Sequence, residues 1–465
     1  MSLGAFRKGS VIYAGEPYVH ALSGSQRGRR CDFCLDKPPT LMKCSSCALM
    51  RYCNKECQKR DWKYHKQECK RLKAVAPNVP TESVRMLFRI FLREKNEENT
   101  TVKEKIGDKL RCFDDLVTHV DDVKVDKTRT EEFMQIFQVL KAFAGDVIQL
   151  PDALFCLETF GRMVVNSFSI CDGEMQPIGV GIYLGGSAFD HSCRPNAVAV
   201  FNKSRLVVRA VQNIKKDEKI FISYMDQLDY ASDRKRQLKD QYYFDCKCPM
   251  CEDSDIEESM NGVQCQTPNC PGIIAFTKGH SVMCRDLYDG KICDVTDICD
   301  AADAATLSAL YMVDRLRNYQ KDKKFADLLA TAEKFMKTHG KALHPHHIRR
   351  VQITDLAFDA CIYMKKWAEA LKYGLANIEP YRIYYTNTQP NLGLLLMKLG
   401  KIYMHREKPD KAFVHLKEAN SVLSVSHGSE HPLVVELGTM LITCQSDLEN
   451  NFRQLGGRAP DIEED

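Results

Sequence analysis

Eight potential metal ligands lie between Cys31 and Cys69, and their spacing constrains the fold of this chain more than any other feature. Seven cysteines and one histidine are enough for two tetrahedral sites, and thiolate and imidazole ligands select Zn²⁺. A disulfide-linked module is the alternative, but it needs an exported chain, and paired C-x2-C units are typical of metal sites. The ligands are Cys31, Cys34, Cys44, Cys47, Cys53, Cys57, His65 and Cys69.

A module of this size buries little apolar surface, so metal binding should supply most of its folding free energy. All eight ligands lie within the stretch, and we therefore expect it to fold as a self-contained unit. Substitution of Cys44 would then unfold this module and leave the rest of the chain folded.

The ligand pattern resembles the MYND zinc finger, and that resemblance implies two interleaved sites. The first ion would be held by Cys31, Cys34, Cys53 and Cys57, and the second by Cys44, Cys47, His65 and Cys69. MYND fingers bind protein segments, so the resemblance also implies partner peptides at this surface. The finger by itself predicts no reaction.

The composition is that of an ordinary globular chain with about three domains at ~150 residues each. The 465 residues carry a net charge of +4, which is too small to define a class of partner. The first 21 residues lack the apolar core of a secretory signal, and no apolar run approaches the ~18 residues of a membrane span. We therefore expect a cytoplasmic and nuclear protein with no membrane contact, whose 21 cysteines are reduced.

Two strand-like segments, 10–14 and 18–22, precede the finger and are separated by a turn with Gly and Pro. From Thr81 to about Ile148 the apolar residues recur at helical spacing, for example at Val84, Leu87 and Phe91 and again from Phe133 to Leu140. The charged stretch Glu94–Glu104 is predicted to be a solvated loop.

After Phe160, short apolar runs alternate with Gly, Asn and Asp turns. This pattern predicts small antiparallel strands rather than alternating strands and helices. The predicted strands are Met163–Val165, Val180–Leu184, Ala197–Phe201, Leu206–Val211 and Lys219–Tyr224.

The stretch Asp190–Asn196 reads Asp-His-Ser-Cys-Arg-Pro-Asn, and Ile222-Ser-Tyr and Cys246-x-Cys-x2-Cys251 follow it. This series resembles the core of a SET domain with its post-SET cysteines. With the finger, the chain is identified as a member of the SET/MYND (SMYD) lysine methyltransferase family. The resemblance implies an α+β fold: a SET-domain antiparallel β core split by a MYND zinc finger and a helical insertion, then a post-SET zinc site and a C-terminal TPR-like α-helical domain.

The sequence from Leu307 to Leu448 is helical throughout. Trp367-Ala-Glu-Ala matches Pro409-Asp-Lys-Ala at an offset of 42 residues, and prolines recur at 345, 390 and 432. Small residues at a fixed period indicate stacked helical hairpins. The family resemblance likewise implies a divergent tetratricopeptide (TPR) array; an unrelated helical bundle is the alternative.

These observations divide the chain into eight segments. They are an N-terminal part of the SET domain (1–27), the finger (31–69), a helical insertion (74–150), the SET core (151–230), a post-SET segment (231–251), a cysteine-containing linker (252–304), the TPR-like domain (305–450) and an acidic tail (451–465).

Methylation of a lysine requires a grip on S-adenosylmethionine, an aromatic channel for the lysine stem and oxygen atoms around the methyl group. The resemblance implies that Tyr224 is the catalytic tyrosine and that Phe168 and Tyr242 line the lysine channel, where aromatic faces favour a cationic nitrogen. The implied cofactor-binding residues are Asn166, Ser187, Asp190, His191 and Phe244.

The resemblance also implies a third zinc ion held by four thiolates, which would fix the post-SET segment beside the catalytic site. The four ligands are Cys193, Cys246, Cys248 and Cys251. A further set has less regular spacing, so a fourth zinc ion competes with the interpretation of small buried cysteines. Its members are Cys265, Cys270, Cys284, Cys293 and Cys299.

The chain departs from the family pattern at two places. Only Gly4 precedes the matched segment Phe6–Gly9, where the family has a Gly-rich loop, so we expect part of the cofactor grip to be missing. The second departure is Asp190, where the family has Asn; its carboxylate could hold the cofactor's ammonium group.

The last helix of the finger is surrounded by basic residues. A solvated face is the ordinary interpretation of such a run, and a nucleic acid or an acidic partner is the alternative. The residues are Lys55, Lys59, Arg60, Lys63, Lys66, Lys70, Arg71 and Lys73.

Two functions therefore compete at the level of the sequence. One is a protein-lysine N-methyltransferase that uses S-adenosylmethionine and acts on histone or non-histone proteins. The other is a non-catalytic adaptor that binds partners through the finger and the helical array. The aromatic residues and the post-SET cysteines favour the enzyme, and the missing Gly-rich loop favours the adaptor.

Overall fold

The structure, a computed structural model, describes residues 4–264, 273–275, 283–284 and 298–454. It divides into two compact units. The first comprises Met1–Ile222, Leu238–Asp245 and Val425–His427, and the second comprises Ser223–Gln237, Cys246–Ser424 and Gly428–Asp465. Among the described residues, no helix combines the length and apolar character needed to cross a bilayer.

The first unit contains both strands and helices. Its strands are β1 Val11–Gly15, β2 Val19–Leu22, β3 Met42–Lys43, β4 Arg51–Tyr52, β5 Glu104–Ile106, β6 Lys109–Arg111, β7 Ser167–Cys171, β8 Pro177–Ile182, β9 Asp190–His191, β10 Ala197–Asn202, β11 Arg205–Ala210 and β12 Phe221–Ile222. Its helices are α1 Lys55–Val75, α2 Glu82–Lys95, α3 Glu98–Thr101, α4 Val120–Val125, α5 Lys127–Ala144 and α6 Ala153–Asn166.

The strands of the first unit form several small sheets. One antiparallel sheet has the order β2-β8-β7, and another has the order β1-β11-β10. The strand-like segments 10–14 and 18–22 are thus confirmed as β1 and β2, but the two strands belong to different sheets. β9 and β12 pair in parallel, with His191 opposite Ile222, so the prediction that this last strand is antiparallel was wrong.

The predicted helices around Val84–Leu92 and Phe133–Leu140 are confirmed as α2 and α5. The β5–β6 hairpin lies between these two helices, inside the segment 74–150 that was predicted to be a helical insertion. The predicted loop Glu94–Glu104 contains the helical turn α3, where Asn99 is buried and accepts a hydrogen bond from the Tyr18 hydroxyl at 2.6 Å. The loop prediction was therefore wrong over most of its length.

Met163–Val165, predicted to be a strand, lies inside α6. That helix begins after Asp152, whose side chain accepts hydrogen bonds from the backbone N–H groups of Leu154 and Phe155. An aspartate at this position satisfies the free N–H groups at a helix start. Once the helix is nucleated there, it continues through the short β-branched run to Asn166.

The second unit is mainly helical. Helix α7 Ala231–Tyr242 joins the two units in sequence. The remaining elements are α8 Pro249–Glu252, α9 Ser254–Asn261, β13 Val263–Gln264, β14 Ile273–Ala275, β15 Met283–Cys284, α10 Ile298–Lys321, α11 Phe325–Thr338, α12 Ile348–Tyr363, α13 Trp367–Ala376, α14 Ile378–Tyr385, α15 Pro390–His405, α16 Pro409–Ser426 and α17 Pro432–Gln454.

The 42-residue period of the sequence is the period of helix pairs. Helices α11, α13 and α16 begin 42 residues apart, as do α12, α15 and α17. Helix α11 packs on α12, α12 on α13, and α13 on α15. Glycines permit this close approach: an added Cβ would lie 2.7 Å from the Phe358 ring at Gly374 and 2.5 Å from the Leu416 side chain at Gly400. The helical hairpins are confirmed, with α14 as an extra helix in the middle pair.

Candidate functional site: metal clusters and the predicted cofactor residues

The eight ligands of the finger form two groups within the first unit, and these are the interleaved sets that the MYND resemblance implies. In each group the candidate ligand atoms all lie within 4.8 Å of one another. One group is partly exposed and the other is buried. They consist of Cys31, Cys34, Cys53 and Cys57, and of Cys44, Cys47, His65 and Cys69.

The distances within these groups fit zinc. Four ligands at about 2.3 Å from an ion stand about 3.8 Å apart along the edges of a tetrahedron. The Cys34 sulfur lies 3.5 Å from that of Cys53 and 3.8 Å from that of Cys57. In the other group the Cys44 and Cys69 sulfurs are 3.7 Å apart. The residues present therefore fit one tetrahedral ion in each group.

The histidine ligand belongs to a buried ionic cluster that the sequence did not reveal. His65 presents Nε2 to the Cys47 sulfur at 3.6 Å, and its Nδ1 lies 3.7 Å from a Glu68 carboxylate oxygen. Glu68 in turn accepts hydrogen bonds from Arg85 Nε at 2.7 Å and Arg89 Nη2 at 2.6 Å. The contact between His65 and Glu68 is longer than a hydrogen bond, whereas the two arginine bonds are short and anchor α1 to α2.

Burial and charge act in opposite directions on the pKa of Glu68. Burial favours the neutral acid, but Arg85 and Arg89 outweigh it and hold the pKa well below its usual value. The carboxylate is therefore charged at neutral pH. Removal of one partner from such a buried group typically costs ~3–5 kcal/mol, because the remaining charges are left uncompensated.

The finger shares one hydrophobic cluster with the rest of the first unit, although its ligand spacing predicted a self-contained module. Cys44, Tyr52 and Leu72 belong to the same buried cluster as side chains of α2, α5, α6 and β8. Tyr52 is fully buried, and its hydroxyl donates to Asp61 on α1 at 2.8 Å. We therefore expect folding of the finger to be coupled to packing of the unit.

A third cluster of thiols lies in the second unit, around α8. The sulfur atoms of Cys246, Cys248 and Cys251 lie within 4.8 Å of one another, and all three residues are buried. The buried guanidinium of Arg234 lies 3.5 Å from the Cys251 sulfur and also donates to the Asp229 carbonyl. A buried cation beside clustered thiolates offsets part of their charge, which suits a zinc site.

Two of the predicted cofactor residues, His191 and Phe244, lie side by side in the first unit. The rings of His191 and Phe244 have centroids 6.0 Å apart at an angle of 51°. His191 Nε2 lies 3.2 Å from the Cys193 sulfur. Tyr243 adopts a left-handed backbone conformation just after α7, and its hydroxyl donates to Asp126 at 3.2 Å. This turn fixes the position of Phe244, and burial together with Asp126 raises the pKa of Tyr243 to about 12.

The motif Asp190–Asn196 has a structural role besides its predicted chemical one. The buried Asn196 side chain accepts a hydrogen bond from the Phe221 N–H at 2.8 Å and donates to the Lys219 carbonyl at 2.9 Å. The asparagine therefore holds β12 beside β9. Because Tyr224 follows β12 by two residues, this contact sets where the predicted catalytic segment begins.

Asn166 and Ser187 make local hydrogen bonds. The Asn166 amide donates to the carbonyls of Val117 and Arg162, each at 2.8 Å, so its Oδ1 is the atom it can offer to a donor. The Ser187 hydroxyl donates to the Tyr183 carbonyl at 2.8 Å. The ring of Phe168 is perpendicular to that of Tyr183 at 5.7 Å, which brings Phe168 close to the turn that carries Ser187.

Asp190 lies at the wall of a cleft of about 610 Å³, between the β5–β6 hairpin and the loop before β12. Its carboxylate is exposed and forms an ion pair with Lys219 at 2.7 Å. The cleft walls carry charges of both signs, including Lys109, Arg111 and Glu218. Ile106, Leu110 and Ile220 also line the cleft, so its walls combine charged and aliphatic side chains.

Tyr224 lies in the second unit, in a segment anchored to the helical array. The segment is held through Asp226, which accepts a hydrogen bond from the Tyr385 hydroxyl, and through Asp229, which pairs with Arg349 at 2.9 Å. Arg349 is buried and also binds Asp233 at 2.6 Å. The helical array thus holds the chain on the C-terminal side of Tyr224, a role that no sequence motif indicated.

Comparison with known proteins identifies the family. A family model for the MYND finger matches residues 31–69. Over 444 residues the chain is 31% identical to the histone-lysine N-methyltransferase SMYD3 of Homo sapiens, which covers 95% of this chain and 94% of that protein. The chain belongs to the SMYD family.

Other SMYD relatives extend this similarity. The chain is 28% identical over 433 residues to the N-lysine methyltransferase SMYD2-A of Danio rerio, with 93% of this chain and 92% of that protein covered. It is 29% identical over 469 residues to the histone-lysine N-methyltransferase ASHR1 of Arabidopsis thaliana, with 97% and 93% covered. The similarity therefore spans the finger, the remaining strands and the helical region alike.

The clusters of this SMYD protein predict three zinc ions per chain. Elemental analysis of the purified protein, with protein concentration from amino-acid analysis, should give about three zinc ions per chain. One ion or none would contradict the assignment of these clusters as zinc sites. The further set from Cys265 to Cys299 lies outside the residues whose side chains are described, as does the tail Ala459–Asp465.

Proposed function

We propose that this chain is a protein-lysine N-methyltransferase that transfers a methyl group from S-adenosylmethionine to lysine side chains of histone or non-histone proteins. The observation that carries the proposal is the 31% identity to a histone-lysine methyltransferase over 95% of the chain. Such similarity includes the segments with Asp190–Asn196, Tyr224 and Cys246–Cys251 as well as the finger. The first unit would contain the SET fold, and the helix pairs would be TPR-like.

The residues of the first unit fit the parts of S-adenosylmethionine. Phe244 is partly buried and can cover a flat base, with His191 beside it at 6.0 Å between centroids. Asn166 can offer its Oδ1, and Asp190 its exposed carboxylate, to an ammonium group. Ser187 would complete this set of cofactor-binding residues. When bound, the cofactor supplies a methyl group on a sulfonium, which leaves behind a neutral thioether.

The protein's task is to present an uncharged amine in line with that methyl group. We assign the walls of the lysine channel to Phe168 and Tyr242, because aromatic faces stabilise a cationic nitrogen. Both side chains are partly buried, and burial raises the pKa of Tyr242, so its hydroxyl stays neutral. We assign Tyr224 as the catalytic residue whose hydroxyl orients the amine and stabilises developing positive charge.

Zinc has a structural role in this proposal. We infer that Cys193 is the fourth ligand of the ion held by Cys246, Cys248 and Cys251. With that ligand the post-SET segment would be tied to the strand segment of His191, which would complete the cofactor pocket. The predicted SET core (151–230) and post-SET segment (231–251) would then act together as one catalytic part.

The finger and the helical array would bind proteins. We propose that protein substrates and partner peptides are the ligands of these surfaces, and that the chain acts in the nucleus and cytoplasm. The adaptor alternative assigns the same surfaces to partner binding without catalysis. The two functions differ in one property: the enzyme binds S-adenosylmethionine, and an adaptor with a defective core does not.

Calorimetry with S-adenosylmethionine therefore tests the proposal. The purified chain should bind one cofactor molecule and transfer labelled methyl groups to lysines of a histone or proteome mixture. S-adenosylhomocysteine should compete, because it keeps the adenosine and amino-acid parts of the cofactor. Full zinc content with no cofactor binding and no transfer would favour the adaptor.

A further inference from the structure

A small cavity lies inside the first unit, where the finger meets β2 and α2. Its volume is about 80 Å³, which is the space of two or three water molecules at ~30 Å³ each. None of the residues assigned above to the cofactor, the lysine channel or the metal ions lines it. We call this space the finger cavity, and it is a candidate site separate from that of the proposed reaction.

Aromatic and aliphatic side chains form part of the wall of the finger cavity, including Val19 and Tyr64. Another lining residue, Arg93, is held between two rings. Its guanidinium lies 4.1 Å from the ring centroid of Tyr18 and 4.3 Å from that of Tyr64. Cation–π contacts on both faces, together with an ion pair to Glu98, fix the position of this arginine.

Two polar side chains that line the cavity each have a buried atom without a hydrogen-bond partner among the described residues. These atoms are His20 Nε2 and Arg93 Nε, and both residues are 7% exposed. Burial, with the nearby Arg89, lowers the pKa of His20 to about 4, so the ring is neutral, and it donates to the Phe33 carbonyl. Its Nε2 is therefore an acceptor, whereas Arg93 Nε–H is a donor. Buried polar atoms nearly always bond to protein, water or a ligand.

The buried charges around the cavity are already compensated. Arg89 bonds to Glu68 at 2.6 Å, and the Asp61 carboxylate accepts from the Tyr52 hydroxyl at 2.8 Å. A charged ligand group would find no free counter-ion in this buried place, which is costly. The chemistry favours an uncharged group that accepts one hydrogen bond and donates another. The two exposed charges of the lining are opposite in sign and belong to Glu16 and Arg60.

We propose that the finger cavity binds the acetylated side chain of a lysine in a partner protein. The terminal acetamido group is uncharged and combines an acceptor, a donor and a methyl group. Its carbonyl would accept from Arg93 Nε, its N–H would donate to His20 Nε2, and its methyl group would contact the apolar part of the wall. The long aliphatic stem of the residue can extend from the surface to an enclosed group.

The same cavity should reject an unmodified lysine. An ammonium group has three donors and no acceptor, so the Arg93 N–H would stay unbonded, and Asp61, the buried acid of the lining, is already bonded. A glutamine side chain keeps a carbonyl and an N–H group but lacks the methyl group and much of the stem. We therefore expect affinity to fall from acetyl-lysine to glutamine to lysine, with on the order of 100-fold between the first and the last.

Fluorescence anisotropy on the full chain tests this proposal with three labelled pentapeptides, which carry acetyl-lysine, lysine or glutamine between pairs of glycines. His20→Phe keeps a ring and removes the Nε2 acceptor, so it should weaken binding of the acetylated peptide roughly tenfold, as loss of one hydrogen bond does. The residues assigned to the lysine channel stay intact, so a peptide bound there would not respond. Zinc content and the thermal transition show whether this variant is folded.

Arg60→Glu gives a test that does not depend on a buried substitution. The variant places an acid on the exposed part of the lining, so the unmodified lysine peptide should gain affinity while the acetylated peptide changes little. The matched control, Lys59→Glu, makes the same change of charge at the neighbouring exposed residue, which does not line the cavity. It should change the ratio of the two affinities much less.

The proposal is overturned if the acetylated peptide does not bind, since the cavity then holds only water, or if the lysine or glutamine peptide binds equally well. It is also overturned if folded His20→Phe binds the acetylated peptide as tightly as the wild type does, or if Arg60→Glu leaves the ratio unchanged. These results do not depend on methyl transfer. A chain that binds the acetylated peptide but no S-adenosylmethionine would contradict the proposed function and support this site.

Discussion

Tyr224→Phe should give a folded protein that binds S-adenosylmethionine but is nearly inactive. The substitution deletes one oxygen atom and keeps the ring, so packing and zinc content should hardly change. In the proposed site the hydroxyl acts on charge that develops during transfer, in a place from which water is excluded. Removal of one such preorganised group typically lowers turnover on the order of 100-fold or more.

Cofactor affinity should survive this change, because Asn166, His191 and Phe244 are assigned to that task. The measurement is methyl transfer to histones and to a proteome mixture, with calorimetry of S-adenosylmethionine binding on the same preparations. A loss of turnover with unchanged cofactor affinity would place Tyr224 at the reacting atoms.

Tyr230→Phe is the matched control, since it deletes the same atom six residues further along the chain. The Tyr230 hydroxyl lies 3.5 Å from His347 Nε2, and its ring lies under the guanidinium of Arg349 at 4.6 Å. The ring contact is kept in the variant, so activity should fall little. Equal transfer by wild type and Tyr224→Phe would show that Tyr224 does not have the catalytic role.

The sequence predicted the metal chemistry well, because that chemistry is local. The spacing of Cys and His identifies clusters whose members lie close together in the chain, and the structure brings those members within 4.8 Å. The 42-residue period predicted the helix pairs equally well. Every repeat buries the same kind of surface, so the same residue types recur at matching positions of the sequence. Both signals depend on spacing alone.

The errors arose where distant partners decide the structure. Charge in Glu94–Glu104 suggested a solvated loop, yet Asn99 is buried because Tyr18 and Glu94 bond to its side chain. The short run Met163–Val165 suits either a strand or a buried helix, and periodicity over three residues cannot distinguish them. A better signal for the helix was Asp152 after a proline, because an aspartate at that position is typical of a helix start.

The ion pairs and hydrogen bonds that support the site could not be predicted from the sequence either. Glu68 lies 17 residues from Arg85 and 21 from Arg89, and no motif connects them. Likewise, Arg349 binds Asp229 and Asp233 more than 100 residues away. Such contacts depend on the tertiary fold, whereas the chemical groups of a site often carry a motif of their own.

Cys44→Ser should destabilise the whole first unit, in contrast to the local unfolding that the self-contained ligand set suggested. Structural zinc in finger peptides is worth ~10–16 kcal/mol, which matches or exceeds the ~5–15 kcal/mol that stabilises a typical domain. Cys44 is 1% exposed and belongs to the same hydrophobic cluster as Phe88 of α2 and Phe160 of α6. Loss of the ion would therefore expose part of the common core.

The same substitution would also change the ionic cluster at its histidine. Without the ion, the His65 imidazole is no longer held beside Glu68, and the buried carboxylate keeps only its hydrogen bonds to Arg85 and Arg89. A loss of ~5 kcal/mol would lower the melting temperature of a domain this size by roughly 10–20 °C. Calorimetric melting and zinc analysis should therefore show one ion fewer and an earlier transition, with S-adenosylmethionine binding weakened.

Cys156→Ser separates the loss of a ligand from the loss of a buried thiol. Cys156 lies in α6, is 1% exposed, and its thiol donates to the Pro151 carbonyl at 3.6 Å, outside every metal group described. This control should keep its zinc and lose only ~1 kcal/mol, as ordinary substitutions do. If Cys44→Ser instead loses one ion while the melting of the first unit and its cofactor affinity stay unchanged, the finger folds independently. The shared hydrophobic cluster would then pack the finger against the first unit without coupling the folding of the two, because zinc would stabilise only the residues that bind it.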